Sequence, residues 1–316
     1  MKIDNCQLTI SDALNHAQKI THLHSNTPSL DAQVLLAHII EKPRTWVLAH
    51  PEGQLTPDQQ ETLSQNLSQF EAGTPLPYIL GHWEFYGLDF IISPAVLIPR
   101  PETELMVEEA IKWLQQKFKP RRRKEREGEK LSISSRTLRL RGELMQQDFY
   151  AADIGAGSGC IAVTLAKHIP DLRVIATDIS EKALEIARAN AENHDVSHQI
   201  EFIQSDLLPP RSTLHAPLDL ICANLPYIPT TTLHTLKVYG REPTLALDGG
   251  PDGLDIIRQL LRESPQRLAP GGLLLLEIDA SQGVPALTIT QEVFPEAEVQ
   301  LLPDLAGHDR LIRVET

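Results

Sequence analysis

The sequence predicts an α/β protein: a doubly wound, mostly parallel sheet with an antiparallel C-terminal edge, plus a small N-terminal helical domain joined by a β-hairpin linker. Three observations predict this fold. Apolar strand and helix patterns alternate from Phe149 onward, two further strand patterns close the chain, and helical periodicity fills residues 1–73. A chain of 316 residues is also long enough for two domains.

Residues 1–73 are expected to form a helical bundle. The clearest helix start is Thr56-Pro57-Asp58-Gln59, where threonine occupies the N-cap, proline the first helical position and glutamine the third. Apolar residues then recur at helical spacing, and a glycine follows at the expected end of the helix. These residues are Leu63, Leu67, Phe70 and Gly73.

Residues 74–100 are predicted to be a linker that holds a β-hairpin. Proline and glycine separate two short runs of strand-forming residues, at 83–86 and 90–92. The third part, 101–316, opens with a helix that carries Val107, Ile111 and Leu114 on one face. Within it, residues 120–147 are charged and lack periodicity, and Arg121 to Lys124 form a basic run. Their composition favours a disordered surface insertion, with a contact to RNA or the ribosome as the alternative.

The α/β pattern follows this insertion. Strands are predicted at 149–154, 172–177, 199–204, 218–223 and 272–278, and helices at about 158–168, 181–193 and 252–268. Two last strands, around 297–302 and 310–315, are expected to add the antiparallel edge.

Composition narrows the possible partners. The formal net charge of -13 disfavours nucleic acid as the main partner, because phosphate backbones are also negative. Cys6, Cys160 and Cys222 form no CxxC pair, and the histidines are scattered without ligand spacing, so no disulfide framework or metal site is expected. The first residues lack the apolar core of a signal peptide, which favours a cytoplasmic protein.

A ligand site is predicted where the first parallel strand ends. Asp153 and Ile154 lead into the loop Gly155-Ala156-Gly157-Ser158-Gly159, which runs directly into an apolar helix. Glycines allow a tight turn and a close approach to a ligand. A dinucleotide fold would place its third glycine one residue later, and Asp153 suits the ammonium group of S-adenosylmethionine better than a pyrophosphate. A turn of purely structural purpose is the third possibility.

Acidic residues end the next two strands. Asp178 follows the second strand and can accept both hydroxyls of a ribose. Asp206 and Leu207 follow the third strand, where an adenine edge and face would lie. Because the carboxyl ends of parallel strands share one edge of a sheet, these residues favour a nucleoside-type cofactor.

The fourth strand ends in Asn224-Leu225-Pro226-Tyr227, the predicted catalytic segment. A planar amide or amino nitrogen is a poor nucleophile and must be oriented toward an electrophilic methyl group. The Asn224 oxygen and the Leu225 carbonyl can each accept one N–H, Pro226 stiffens the turn, and the Tyr227 ring can pack against the planar group. An ordinary Asn/Pro turn is the plainer alternative.

Together these motifs resemble class I S-adenosylmethionine-dependent methyltransferases, and more closely the HemK-type peptide chain release factor glutamine methyltransferases. Four further segments carry the resemblance, which covers nearly the whole chain outside 120–147. They are 97–104 (LIPRPETE), 153–160, 241–247 and 304–310.

The resemblance implies methyl transfer from S-adenosylmethionine to the side-chain nitrogen N5 of glutamine in the Gly-Gly-Gln motif of class 1 release factors, with the N-terminal domain recognising the release factor. A monomer is expected, and no membrane is expected as a partner, because the apolar run 273–276 is too short to span a bilayer. The family motif is N-P-P-Y, so Leu225 replaces its first proline. The cofactor set is Asp153, Gly155, Ala156, Gly157, Ser158, Gly159, Asp178, Asp206, Leu207 and Asn224; the catalytic set is Asn224, Leu225, Pro226 and Tyr227.

Three other functions fit parts of the pattern. Adenine presents a similar amino group, so an adenine-specific DNA or RNA methyltransferase is one alternative, and N-L-P-Y also occurs in ribosomal RNA adenine dimethyltransferases. A glutamine in a ribosomal protein is a second possible acceptor. A non-catalytic cofactor-binding module is the third, although it would not require an intact Asn-x-Pro-Tyr.

Overall fold

A computed structural model describes residues 8–117, 149–214 and 216–316. The N-terminal part is a bundle of five helices in this description: α1 (Ile10–Thr21), α2 (Pro28–Ile40), α3 (Arg44–Ala49), α4 (Pro57–Glu71) and α5 (Leu76–Leu80). The predicted capping box is confirmed at α4. The Gln59 backbone N–H donates to Thr56 Oγ1 at 3.2 Å, and the Thr56 backbone N–H donates to Gln59 Oε1 at 2.9 Å.

The predicted hairpin is also confirmed. Strands β1 (His82–Phe85) and β2 (Leu88–Ile91) pair antiparallel, and Phe85 and Phe90 bury their rings in the core of the following α/β part. Asn190 fastens the hairpin to that part. Its Oδ1 accepts from the Ile91 backbone N–H at 2.7 Å, and its Nδ2 donates to the Ile91 and Ser158 carbonyls.

The α/β part contains a seven-stranded sheet with the order β5-β4-β3-β6-β7-β9-β8. Strands β3 to β7 run parallel, whereas β9 and β8 add the antiparallel edge. The strands are β3 (Phe149–Ile154), β4 (Leu172–Asp178), β5 (Ile200–Gln204), β6 (Leu218–Ala223), β7 (Leu268–Glu277), β8 (Glu298–Pro303) and β9 (Asp309–Glu315). The helices are α6 (Glu104–Lys117), α7 (Cys160–His168), α8 (Glu181–Asn193), α9 (Thr230–Leu233), α10 (Asp255–Glu263) and α11 (Gly283–Val293).

The predicted helix at 252–268 is too long. Helix α10 ends at Glu263, a 3₁₀ turn covers Ser264–Gln266, and β7 already begins at Leu268, where it pairs with Leu218. Pro265 cannot donate a helical hydrogen bond, which favours the stop at this point. The short helices α3 and α5 were not predicted from periodicity. The predicted insertion at 120–147 lies outside the described residues.

No helix within the described ranges is long and apolar enough to cross a membrane. The fold brings the carboxyl ends of several strands together at one edge of the sheet. The carboxyl ends of β3, β4, β5 and β6 meet there, as expected for a doubly wound sheet, and the glycine loop after β3 lies between two of them.

Candidate active site

A cavity of about 360 Å³ opens at the carboxyl ends of the parallel strands. It brings together most of the residues predicted from sequence, although these come from four separate strand ends. The predicted residues that line it are Gly155, Ala156, Gly157, Ser158, Asp178, Asp206, Leu207, Asn224, Leu225 and Pro226. Asp153, Gly159 and Tyr227 do not line the cavity.

The three glycines of the loop serve different purposes, although all have positive φ. A Cβ on Gly155 would lie 3.1 Å from Leu225 Cδ2, and one on Gly159 would lie 2.9 Å from Ala187 Cβ in α8. A Cβ on Gly157 would meet no atom within 4 Å, so this glycine leaves open the space that faces the cavity. Gly159 is therefore needed for helix packing, whereas Gly157 is available to a ligand.

Asp178 is fixed by the backbone around it. Its Oδ2 accepts from the Gly157 N–H at 2.9 Å and its Oδ1 from the Ser180 N–H at 2.8 Å. Burial raises the pKa of this carboxyl, and the backbone hydrogen bonds partly oppose that rise. Each carboxylate oxygen keeps lone-pair capacity for a further donor, such as a ribose hydroxyl.

Asp206 and Leu207 form the neighbouring part of the wall. Asp206 is exposed, whereas the Leu207 side chain is buried. Leu207 adopts φ 63°, a left-handed conformation that is uncommon for leucine. Such conformations persist where the surrounding structure requires them, often at binding sites. The turn presents an aliphatic side chain to the cavity.

Asp153 lies beneath the loop and has no exposed surface. Its Oδ2 accepts from the Ala162 N–H at 3.0 Å, and its Oδ1 has no hydrogen-bond partner among the described residues. Burial raises its pKa to about 7. A buried carboxylate with a free oxygen makes a region suited to a cationic group, because the cation would stabilise its ionised form.

Asn224 lines the cavity where β6 ends. Its Nδ2 donates to Thr103 Oγ1 at 2.9 Å, and no described residue donates a hydrogen bond to its Oδ1. The oxygen is therefore available to a donor in the cavity. Thr103, which is buried and also lines the cavity, belongs to the 3₁₀ turn Pro101–Thr103.

Leu225 and Tyr227 face the protein more than the cavity. Leu225 is 3% exposed and packs on Gly155, so it occupies the space beside the loop. The Tyr227 hydroxyl donates to Glu277 Oε1 at 3.2 Å, and its backbone carbonyl accepts from Gln282 Nε2 at 2.8 Å. In this arrangement the Tyr227 ring supports the turn from behind and does not form part of the cavity wall.

Sequence reasoning missed Glu277 as a site residue. It ends β7, is 1% exposed, and burial raises its pKa to about 7. The signal was available, because an acidic residue at the carboxyl end of a parallel strand also drew attention to Asp178. The 97–104 segment was noted only through its resemblance to a family, although Leu97, Pro99 and Arg100 line the cavity.

An ion pair between the half-buried Arg100 and the buried Glu242 holds that segment in place. Arg100 Nη2 lies 2.5 Å from Glu242 Oε1, and Glu242 Oε2 accepts from the Ile98 N–H at 3.1 Å. Glu242 precedes Pro243, another residue of the cavity wall. Two segments 142 positions apart in sequence thus form one side of the cavity.

The residues of the cavity fit S-adenosylmethionine. The open space at Gly157 matches the close approach that this cofactor would make, and the remaining lone pairs of Asp178 match its ribose hydroxyls. Asp153 does not line the cavity, but its unpartnered oxygen adds negative charge beneath the glycine loop. Asn224 lies beside Thr103, and a Cβ on Gly155 would lie 4.0 Å from its carbonyl oxygen. The cavity can therefore hold a cofactor against an acceptor group.

Comparison with known proteins gives two matching family models: the PrmC N-terminal domain over residues 12–81 and the methyltransferase small domain over residues 134–237. The release factor glutamine methyltransferase of Moorella thermoacetica is 38% identical over 305 residues, which cover 96% of this chain and 97% of that protein. The enzyme of the same name from Koribacter versatilis is 36% identical, with 96% and 98% covered. A solved methyltransferase structure from Pyrococcus furiosus matches with a TM-score of 0.45 and 16% identity, over 82% of this chain and 98% of that one.

Proposed function

The chain belongs to the release factor glutamine methyltransferase family, and from that premise we propose that it methylates the side-chain nitrogen N5 of the glutamine in the Gly-Gly-Gln motif of class 1 peptide chain release factors. It is an S-adenosylmethionine-dependent methyltransferase of the class I fold. The observation that carries the proposal is the Asn224 side chain, which is held at Nδ2 by Thr103 while its oxygen stays open to a donor in the cavity.

The cofactor, when bound, supplies an electrophilic methyl group. Asp178 would hold its ribose, and Gly157 would allow the close approach of the loop backbone. Asp153 would face its charge from beneath the loop, and Asp206 and Leu207 would border the adenine. Gly155, Ala156 and Ser158 complete this side of the cavity, while Gly159 would contribute indirectly by allowing α8 to pack against the loop.

The acceptor amide would bind at the turn after β6. Asn224 Oδ1 accepts one N–H of the planar nitrogen, and the Leu225 carbonyl accepts the other. Replacement of the family's first proline by Leu225 keeps this carbonyl. Pro226 fixes the backbone, and Tyr227 holds the turn through Glu277. Orientation of the amide reduces the activation barrier to methyl transfer. No strong base is needed, because the nitrogen becomes acidic and loses its proton readily as it is methylated.

The chain would divide into a release factor recognition bundle (1–73), a hairpin linker (74–100) and a methyltransferase domain (101–316). Contacts between the bundle and the segment that precedes Pro243 of the cavity wall support this division. Arg241 Nη2 lies 3.4 Å from His24 Nδ1, and its guanidinium also packs beside Gly73. Leu23, which precedes His24, and Leu245, four residues after Arg241, are 58% and 61% exposed and are available to a protein partner.

We further propose a cytoplasmic monomer that acts on protein and not on nucleic acid. The net charge of -13 supports a protein acceptor, because phosphate backbones would be repelled. The glutamine of a release factor is preferred over that of a ribosomal protein because the chain covers 97% of a relative named for release factors.

The test is a transfer assay with labelled S-adenosylmethionine. The purified chain is incubated with a class 1 release factor, with the same factor carrying Gly-Gly-Ala, with total RNA and with ribosomes. We expect one methyl group on the glutamine of Gly-Gly-Gln, located by peptide mass spectrometry, and none on the Gly-Gly-Ala factor. Transfer to RNA or to a ribosomal protein, with none to the release factor, would contradict the proposal.

A further inference from the structure

One buried side chain, Gln282, holds the far end of the turn that carries the proposed catalytic segment. It lies between β7 and α11 and is 4% exposed. Its Nε2 donates to the Tyr227 carbonyl at 2.8 Å and to the Asp252 carbonyl at 3.1 Å. Its Oε1 accepts from the Asp279 N–H at 3.0 Å. Gln282 thus joins the turn after β6, the loop before α10 and the segment after β7.

The orientation of this amide follows from its partners. A carbonyl can only accept a hydrogen bond and a backbone N–H can only donate one, so Nε2 must face the two carbonyls and Oε1 the N–H. The Asp252 carboxylate is paired with Arg258. The Asp279 carboxylate bonds to the Ser281 hydroxyl, so neither carboxylate competes for the amide. Gln282 therefore makes its three bonds in a single orientation.

Two glycines let the loop before α10 reach the backbone of the turn. A Cβ on Gly249 would lie 2.7 Å from the Pro226 carbonyl oxygen and 2.8 Å from Tyr227 Cα. A Cβ on Gly253 would overlap the Tyr227 carbonyl oxygen and Gln282 Nε2. Backbone therefore packs directly on backbone at this point, which limits the movement of the Pro226 and Tyr227 carbonyls.

From this packing we infer that Gln282 is a positioning residue for methyl transfer, which fixes the turn after β6 so that the Leu225 carbonyl points to the acceptor nitrogen. The inference rests on the proposed function, which gives this carbonyl one N–H of the amide. Gln282 does not line the cavity, so it acts through the turn.

The Leu225 carbonyl depends on such support. Its oxygen accepts no hydrogen bond from the described residues, although Leu225 lines the cavity. The residue before a proline is restricted to extended conformations, so Pro226 limits rotation within the turn. The direction of the carbonyl then depends on how the turn as a whole is placed. Strand β6 holds one end of the turn, and Gln282 holds the other through Tyr227.

Exchange of the amide for a carboxyl tests this role. Gln282→Glu keeps the side-chain length and the oxygen that faces the Asp279 N–H, but an ionised carboxylate cannot donate to the Tyr227 and Asp252 carbonyls. Two attractive contacts become repulsive, so the turn should shift. A neutral carboxyl has one proton to donate, and burial favours the neutral form. The defect should therefore become smaller as the pH falls.

The experiment measures kcat with a class 1 release factor as a function of pH, together with the Kd for S-adenosylmethionine. At high pH, Gln282→Glu should lower kcat at least about 10-fold, and the ratio to the wild-type kcat should recover as the pH is lowered. The Kd, measured by calorimetry, should stay within about twofold. Gln291→Glu makes the same change at an exposed position of α11 and should match wild type at every pH.

A pair of glycine variants tests the turn from the opposite side. Gly253→Ala would push on the Tyr227 carbonyl and should also lower kcat more than it weakens cofactor binding. Gly87→Ala, in the hairpin, is the control. Its φ of 72° is close to the 80° of Gly253, but its Cβ would meet no atom within 4 Å, so it carries the conformational cost alone.

Three results would each overturn the inference: a wild-type kcat in Gln282→Glu, a loss that is the same at every pH, or a Gly253→Ala variant as active as Gly87→Ala. Thermal unfolding of each variant identifies a folding defect, and Gln282→Glu at low pH remains decisive if Gly253→Ala does not fold. Absence of transfer to the release factor by the wild-type chain would refute the proposed function instead.

Discussion

The two sides of the cavity are built in different ways. The proposed cofactor wall, formed by residues 155–158 with Asp178 and Leu207, is held mainly by backbone N–H groups, such as that of Gly157 on Asp178. The acceptor wall, formed by Thr103 and residues 224–226 with Glu277 behind them, is held by bonds between side chains. The bonded partners Asn224 and Thr103 are 121 positions apart in sequence, and Tyr227 and Glu277 are 50 apart. Gly157 and Asp178 are only 21 positions apart.

This difference indicates what each wall tolerates. A backbone donor survives most substitutions, so the cofactor wall depends on backbone conformation and on the space left by glycines. The acceptor wall depends on the identity of a few side chains, because each supplies one particular donor or acceptor. Substitutions should therefore affect binding in one wall and turnover in the other.

The largest effect is expected from Asn224→Ala in the acceptor wall. Loss of the amide leaves the acceptor nitrogen without its main orienting group, so kcat should fall at least about 100-fold. The Kd for S-adenosylmethionine, measured by calorimetry, should change by much less. Asn193→Ala, at the exposed end of α8, is the matched control. Near-normal turnover in Asn224→Ala would remove Asn224 from the mechanism.

A pair of glycine variants tests the cofactor wall. Gly157→Ala and Gly159→Ala both place alanine at positive φ, which costs about 1–2 kcal/mol in each case. Gly159→Ala should lower the melting temperature more, since its Cβ would lie 2.9 Å from Ala187 Cβ. Gly157→Ala should instead weaken cofactor binding, because its Cβ enters the open space at the cavity.

A second substitution sharpens this contrast. Ala187→Gly removes the atom that Gly159→Ala would strike, so the double variant should recover part of the lost stability relative to the sum of the single changes. The same Ala187→Gly change should leave Gly157→Ala unaffected. Strict additivity in the first pair would mean that Gly159 is needed only for its backbone conformation.

The last expected effect is a pH dependence of stability at Asp153. Its pKa is raised from 3.8 to about 7, so the folded state holds this proton more tightly than the unfolded state. The contribution of Asp153 to the free energy of unfolding is fully present below about pH 4 and is lost as the pH rises to about 7. Asp153→Asn should therefore gain stability relative to wild type across that range, as measured by denaturant unfolding. A constant difference would contradict the raised pKa.

The sequence predicted most of the fold because the relevant signals are local. Strands at 149–154 and 218–223 match β3 and β6 at both ends, since each is an apolar run bounded by turn residues. The cofactor wall could also be predicted from the sequence. Its glycine loop and acidic strand ends are recognised within windows of about 20–30 residues, and parallel strands place their carboxyl ends at one edge of the sheet.

The acceptor wall could be predicted only in part. Asn224 was recognised from its motif, but its bond to Thr103 depends on how two distant segments pack. For the same reason Tyr227 was expected to face the acceptor, whereas the structure directs its hydroxyl to Glu277. Gly159 was predicted as a cofactor residue from the glycine loop, and the loop sequence gives no sign of the packing of Ala187 beside it. Side-chain partners across a sheet become visible only once the strands are placed.

The positions of Lys117 and Phe149 have a practical consequence for engineering. The described ranges end at Lys117 and resume at Phe149, which pairs with Leu172 at the start of β4. Lys117 Nζ bonds to the Gly271 carbonyl, near the start of β7. Both junctions thus lie at the amino ends of the strands, opposite the cavity. A fluorescent reporter or affinity handle attached at Lys117 or Phe149 would lie at the end of the sheet away from the cavity.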